Sequence, residues 1–130
     1  MTAALAVVVA VLHGALVLVM VTGGLLGLRR HRLLYVHAPL TLAILGINVA
    51  GAACPVTALE LRLRALAGWA PYRDGFIGHY AVDPLGLHLH DPTVQAGLYA
   101  IALVPNLLAY GLLLIRAAPR GAPRGSVRRP

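Results

Sequence analysis

The side chains best suited to chemistry in this sequence are one cysteine, four acids and six histidines. A cysteine acts as a nucleophile or a metal ligand when a nearby base or positive charge stabilises its thiolate, so Cys54 needs a neighbour such as His79. Histidines and carboxylates that lie close together can bind zinc or copper, and one loop carries four candidates: His79, His88, His90 and Asp91. Their spacing matches no standard metal motif, so polar loop residues are the favoured interpretation, and no metal or other cofactor is predicted.

The stretch ACPVTALELRLR separates two apolar segments and marks the start of a helix. Pro55 cannot continue a preceding helix, because it lacks a backbone N–H group. Thr57 and Glu60 have the spacing of a capping box, and Glu60 and Arg64 have the spacing of a helical ion pair. The pattern predicts a short amphipathic helix over about residues 58–67.

Several classes of enzyme are excluded by what the sequence lacks. The single Cys54 excludes an internal disulfide, a thioredoxin-like centre and c-type haem attachment. Three roles for Cys54 stay open: a small packing residue, a ligand or reactive thiol, and one half of an intermolecular disulfide. The chain contains no lysine and therefore no phosphate-binding P-loop. Its only serine, Ser126, follows the last apolar segment, which excludes a serine hydrolase.

The composition indicates a membrane protein. Hydrophobic residues make up 59% of the chain and charged residues 12%, which is too few to cover a soluble surface. Three charge-free runs each exceed the roughly 20 residues that cross a bilayer. We therefore predict an all-α membrane protein with three transmembrane helices plus a short extracytoplasmic amphipathic helix. A single membrane domain covers residues 1–117, with spans at about 3–28, 33–53 and 93–115, and a disordered basic tail occupies residues 118–130.

All eleven basic residues are arginines, and their positions predict the orientation of the chain. Three arginines lie between the first two spans and five follow the third. Because basic residues near span ends stay in the cytoplasm, residues 29–32 and the tail are predicted to be cytoplasmic. The N-terminus and residues 54–92 are then extracytoplasmic in a multi-pass protein of the cell membrane. The tail is expected to contact anionic lipid rather than nucleic acid.

Polar residues within the spans recur at helical spacing and form one stripe on each span: His13; His37, Thr41 and Asn48; Gln95, Tyr99, Asn106 and Tyr110. Polar groups in lipid face the interior of a bundle, so the stripes should face each other. A rise of about 1.5 Å per residue places His13, Asn48 and Tyr99 in one layer. It places His37 and Tyr110 in a second layer, with Thr41 and Asn106 between the two. His13 and His37 then differ in depth by about 16 Å, which disfavours a haem held between them.

Several segments together resemble a known family: LHGALVLVMVTGGLLGLR, YVHAPL, CPVTALELRLR, YRDGFIGHY and NLLAYGLLL. In order and spacing the chain is similar to the small bacterial membrane proteins called domain of unknown function 2784. The resemblance implies an integral membrane protein of the bacterial envelope and implies no activity. The matching polar positions are His13, His37, Cys54, Thr57, Glu60, Tyr72, His79 and Tyr80. The chain departs from the family at Ala52 and Ala53, where the family tends to carry an aromatic residue before the cysteine.

These observations favour a non-enzymatic protein that packs against a partner or against itself as a structural or partner-binding component of the envelope. Two spans offer small residues that let another helix approach closely, at Gly23-x-x-x-Gly27 and at Gly46-x-x-x-Ala50. The alternative is an outward-facing redox, metal-binding or lipid-modifying protein that uses Cys54, Glu60 and His79.

Overall fold

The computed structural model describes residues 1–118, so the predicted basic tail lies outside the described part apart from its first residue. The three longest helices are α1 (Thr2–Arg29), α2 (Leu34–Val49) and α5 (Pro92–Ala117). A 3-10 turn, His31–Leu33, precedes α2, and α3 (Pro55–Leu66) follows it. The segment before α5 consists of short turns: α4 (Gly75–Ile77), a π-helical turn (Gly78–Val82) and a 3-10 turn (Asp83–Leu85).

Three helical segments are long and apolar enough to cross a membrane, namely Thr2–Arg29, His31–Val49 and Pro92–Ala117. Most of their large apolar side chains are exposed, which is stable only where lipid replaces water as the solvent. The predicted fold class, an all-α membrane protein with three spanning helices and a further short amphipathic helix, is confirmed.

Helix α1 lies at the centre, because glycines let two neighbouring helices approach its backbone. The ring of His37 from α2 lies directly over Gly23, and Leu34 covers Gly27. On α5, Asn106 lies against Gly24, and its side-chain Oδ1 accepts a hydrogen bond from the Gly24 backbone N–H at 2.9 Å. The predicted face at Gly23 and Gly27 is therefore occupied by a helix of the same chain.

A buried polar layer joins the three spanning helices near the C-terminal end of α1. The Nε2 atom of His37 lies 3.2 Å from the carbonyl oxygen of Met20, which can only accept, so Nε2 carries the hydrogen. Nδ1 of His37 then accepts from the Tyr110 hydroxyl at 2.7 Å. Thr41 lies 3.3 Å from the same ring, and Asn106 donates to the Met20 carbonyl at 2.9 Å. The predicted layer of His37 and Tyr110 is thus present, with Thr41 and Asn106 beside it.

The other predicted layer, formed by His13, Asn48 and Tyr99, is wrong. Asn48 is exposed, and its amide donates only to the carbonyl of Ile44 one turn earlier in α2, at 2.9 Å. The side chain of Tyr99 is 58% exposed. His13 is buried against α3 instead. Asn48 and Tyr99 therefore do not pack against His13, whose partners at this level come from α3 and the residue before it.

Helix α3 begins two residues before the predicted capping box, which does not form. Pro55 occupies the first helical position and Cys54 the N-cap position, with extended geometry (φ −59°, ψ 126°) and no side-chain capping bond. Proline needs no hydrogen-bond partner at this position, and it disfavours helical geometry in the residue before it. Thr57 therefore lies inside the first turn, and Glu60 is free to turn towards α1.

Helix α3 ends at a glycine, as its sequence indicates. Gly68 adopts a positive φ of 75°, and its N–H donates to the Ala65 carbonyl at 3.1 Å. The N–H of Trp69 reaches back to the Arg64 carbonyl at 2.9 Å, which completes a Schellman motif. The helix runs antiparallel to α1, because Cys54 at its start lies beside His13 and Trp69 after its end lies near Ala6.

Candidate functional site between α1 and α3

Glu60 is the centre of the candidate site, and its side chain is completely buried (0% exposed). A carboxylate is rarely buried in this way unless it has partners, and in a membrane protein such a residue marks a functional-site candidate. One oxygen of Glu60, Oε1, accepts a hydrogen bond from the Tyr80 hydroxyl at 2.9 Å. This bond joins α3 to the π-helical turn Gly78–Val82, which holds Tyr80.

His13 of α1 lies between Glu60 and Cys54, and it is also buried. Its Nδ1 atom is 3.6 Å from Oε2 of Glu60. Its Nε2 atom is 3.9 Å from the Sγ atom of Cys54. The ring packs against Phe76, with the ring centroids 4.0 Å apart. The imidazole therefore has a carboxylate on one edge and a thiol on the other.

Arg64 does not form the predicted direct ion pair with Glu60. Its guanidinium donates to the Tyr80 hydroxyl at 3.2 Å and to the Ala70 carbonyl at 3.3 Å. It also lies over the rings of Trp69 and Tyr72, at 5.4 Å and 5.2 Å from their centroids. The Tyr80 hydroxyl, which accepts from Arg64 and donates to Glu60, therefore links the two charges.

The aromatic residues around Glu60 pack closely with one another. Tyr72 stacks on His79 with centroids 4.5 Å apart, and the His79 ring meets Tyr80 edge-on at 4.6 Å. Burial raises the pKa of Tyr72 well above its ordinary value, and the negative charge of Glu60 raises it further. Burial and the hydrogen bond to Glu60 likewise raise the pKa of Tyr80. Both phenols are therefore held in their neutral, hydrogen-donating form.

The cluster contains polar atoms that have no hydrogen-bond partner. Within residues 1–118, the buried side-chain nitrogen and oxygen atoms without a partner are Nδ1 of His13, Oε2 of Glu60, Nε of Arg64 and the hydroxyl of Tyr72. Buried polar atoms are nearly always paired, so four unpaired ones in one place require an explanation. Their grouping fits a site that handles protons or holds a small polar group.

An apolar groove adjoins the cluster and has a volume of about 330 Å³. It lies between the first half of α1 and the aromatic segment, and it is lined by Ala6, Val7, Ala10, Val11, Trp69, Phe76 and Tyr80. Phe76 also packs on His13, and Tyr80 also binds Glu60. The groove and the polar cluster thus have two residues in common, Phe76 and Tyr80.

The structure brings six of the residues predicted as site candidates into this region: His13, Cys54, Glu60, Tyr72, His79 and Tyr80. Thr57 lies in the first turn of α3, whereas His37 and Asn48 belong to the spanning helices. No sequence pattern indicated that Phe76 packs on His13 or that His13 adjoins Cys54, since 41 positions separate the latter pair.

The predicted metal candidates do not converge in the described part of the chain. His90 lies 3.3 Å from Asp74, while His88 is exposed. Asp91 caps α5, accepting from the Thr93 N–H at 2.7 Å. His79 stacks on Tyr72, as described above. These contacts stabilise the loop and the start of α5.

The fold and this cluster define a small helical integral membrane protein in which a buried His–Glu pair adjoins the hydroxyl of a partly exposed tyrosine. The chain belongs to the family described as Protein of Unknown function (DUF2784), whose model it matches over residues 3–111. No curated protein and no solved structure shows significant similarity to the chain.

Proposed function

We propose that this protein is a membrane-embedded binding component that receives a transmembrane helix against the exposed polar faces of α2 and α5, which carry Asn48 and Tyr99. The observation that carries the proposal is the exposure of Asn48 and Tyr99 on the faces by which these two helices pack elsewhere. A helix of a second copy or of another membrane protein would fit the role of a structural or partner-binding component of the bacterial envelope.

The helical register shows that Asn48 and Tyr99 continue the packed faces of their helices. On α2, Asn48 stands eleven residues after His37, which returns it to the same face. On α5, Tyr99 stands seven residues before Asn106 and shares its face. His37 and Asn106 are buried, whereas Asn48 and Tyr99 are exposed. The two helices thus carry exposed polar groups on faces that are packed elsewhere along their length.

Polar side chains that face lipid are unfavourable, and a neighbouring helix can relieve them with interhelical hydrogen bonds worth about 0.6 kcal/mol on average. On the opposite face of α2, a side chain added at Gly46 would meet no atom within 4 Å. Ala50, one turn further along, is also exposed. The predicted small-residue face at Gly46 and Ala50 therefore supplies a second surface for close approach.

Photo-crosslinking in intact membranes tests this contact. A photoreactive amino acid at Asn48 should give a discrete crosslinked product, whereas the same group at Ile101, an exposed position of α5 on the side opposite Tyr99, should not. A product of twice the chain's mass would identify a second copy, and another discrete mass would identify a different protein. Equal products from both positions, or no product from Asn48, would contradict the proposal.

The proposal includes an orientation, with the N-terminus and residues 54–92 outside the cytoplasm. The arginines near the span ends support it. In a Cys54→Ala background, a membrane-impermeant thiol reagent should label Gly86→Cys in intact cells and leave Ser126→Cys unlabelled until the cells are lysed. The opposite pattern would reverse the orientation and leave the proposed helix contact at Asn48 and Tyr99 unaffected.

A further inference from the structure

We propose that Cys54, His13 and Glu60 form a nucleophile–base–carboxylate triad that accepts an acyl group from a lipid ester onto the Cys54 sulfur. From the sequence alone, His79 is one candidate base for this cysteine. The structure assigns that position to His13, since His79 stacks on Tyr72.

The two contacts of His13 divide the roles across its ring. Nε2 faces the thiol of Cys54 at 3.9 Å, and Nδ1 faces Glu60 Oε2 at 3.6 Å. This is the order of a catalytic triad, in which one ring nitrogen takes the nucleophile's proton and the other is oriented by an acid. Both distances are longer than those of strong hydrogen bonds. In catalytic sites such contacts commonly shorten only when substrate binds.

The contacts of His13 differ from those of His37, which is also buried and has an ordinary packing role. His37 is buried like His13, but both of its ring nitrogens have strong partners, the Tyr110 hydroxyl and the Met20 carbonyl. In His13, Nδ1 has no hydrogen bond, and the atom it faces, Glu60 Oε2, has none either. Two unpaired buried atoms aimed at each other are suited to sharing a proton once the imidazole becomes charged.

The start of α3 provides the remaining element of acyl-transfer chemistry. This helix has no side-chain cap, and its first residue is Pro55. The backbone N–H groups of Val56 and Thr57, two and three residues after Cys54, therefore lack helical partners. Free N–H groups at a helix start stabilise developing negative charge, as they would on the oxygen of a tetrahedral intermediate.

The adjoining groove indicates the class of substrate. Its lining is almost entirely apolar, and its walls Phe76 and Tyr80 contact the base and the carboxylate of the triad. It runs along the first half of α1, a helix able to span the membrane. A long acyl chain drawn from the surrounding lipid matches this shape and polarity, with its ester group next to Cys54.

The chemical step is an acyl transfer without any redox change. His13 Nε2 takes the thiol proton while the Cys54 sulfur attacks the ester carbonyl carbon and forms an S–C bond. The C–O bond to the alcohol then breaks, and the leaving alkoxide takes the proton from His13. The products are S-acylated Cys54 and a lysolipid.

A single metal ion fits this geometry poorly. The thiol of Cys54 and the carboxylate of Glu60 face opposite edges of the His13 ring, so the three cannot surround one ion together. Among the described residues there is no group of three or more His, Cys, Asp or Glu side chains suited to a metal.

The test uses the full chain in nanodiscs of ether-linked lipid, which cannot donate an acyl group, with p-nitrophenyl decanoate as the probe. The wild type should release one equivalent of p-nitrophenolate in a burst and gain a decanoyl group on Cys54 that neutral hydroxylamine removes. Cys54→Ala should abolish the burst, and His13→Asn should slow it by about 100-fold or more. The exposed loop variant His88→Ala should behave as the wild type does.

The lipid source and the role of Glu60 need two further measurements. In nanodiscs made of ester-linked phosphatidylglycerol, Cys54 should acquire an acyl group from the lipid, and in ether-linked nanodiscs it should not. Glu60→Gln should shift the pH profile of acylation, which a merely structural residue would not do. Acylation at the wild-type rate in a folded His13→Asn protein, or an unmodified Cys54 in the folded wild type, would overturn the proposal.

Discussion

The hydroxyl of Tyr110 lies 2.7 Å from Nδ1 of His37 and ties α5 to α2 within the apolar part of the bundle. His37 and Tyr110 lie where both helices pack against α1, whereas Asn48 and Tyr99 further along them are exposed. The bond therefore helps to hold α2 and α5 together beside α1.

Tyr110→Phe removes this bond and leaves Nδ1 of His37 without its partner. We expect the free energy of unfolding to fall by about 0.6 kcal/mol, and by no more than roughly 1.7 kcal/mol, since hydrogen bonds between membrane helices are modest. Reversible unfolding in mixed micelles measures the change. Tyr99→Phe is the matched control, because its ring is 58% exposed and the variant should match the wild type. Equal losses from both would show that the bond contributes nothing specific.

Gly24→Ala should separate α5 from α1. A methyl group at Gly24 would collide with the side chain of Asn106 and lie 3.1 Å from its Cα atom, so the backbone of α5 would have to move. Overpacking of this kind costs about 1–3 kcal/mol. Gly111→Ala is the control, since nothing lies within 4 Å of an added methyl there. That variant should be unchanged or stabilised by up to about 1 kcal/mol. Equal stability of Gly24→Ala and the wild type would contradict the close packing at Gly24.

Gly68→Ala should weaken the end of α3. The positive φ of 75° at this position is unfavourable for a residue with a side chain, by roughly 1–2 kcal/mol. No atom lies near an added methyl group, so the cost comes from the backbone alone. Gly68→Asn should lose less, because asparagine tolerates this conformation better. Thr57→Ala should stay within about 0.5 kcal/mol, because Thr57 does not cap the helix. A larger loss from Thr57→Ala than from Gly68→Ala would reverse this ranking.

The stability of the protein should fall at alkaline pH because of Tyr72 and Tyr80. Both pKa values are raised in the folded state, so the folded chain keeps phenolic protons that the unfolded chain loses above about pH 10. The stabilisation is complete below the unfolded pKa and disappears as pH rises towards the folded pKa. Unfolding measured between about pH 9 and 12 should show a shallower decline in Tyr72→Phe than in the wild type. An unchanged slope would show that Tyr72 ionises normally.

Local sequence patterns were sufficient to predict the parts of the fold that depend on hydrophobicity and helical periodicity. Three long apolar runs identified the spanning helices, and the shared faces of His37 and Tyr110 predicted their layer. Both are properties of single helices placed side by side in lipid. The glycine at position 68 likewise marked the end of α3, since a Schellman motif involves only nearby residues.

The candidate site depended on contacts that no local pattern encodes. The capping-box spacing placed Glu60 at the helix start, yet an earlier start at Pro55 turned its carboxylate towards α1. Once α3 folded back along α1, Glu60 and Cys54 reached opposite edges of the His13 ring.

The amino-acid sequence by itself determined the lipid environment, the number of spanning helices and the approximate boundaries between the helices. These properties follow from the apolar content and the periodicity of short segments. Tertiary structure alone decided which polar side chains meet. Counting residues along the helices places His13 at the same depth in the membrane as Asn48 and Tyr99. It lies instead with Glu60, because α3 covers this half of α1 and provides a charged partner in a buried space. Depth along a helix can be counted from the sequence, whereas the choice of neighbour around the helix depends on how all the segments pack together.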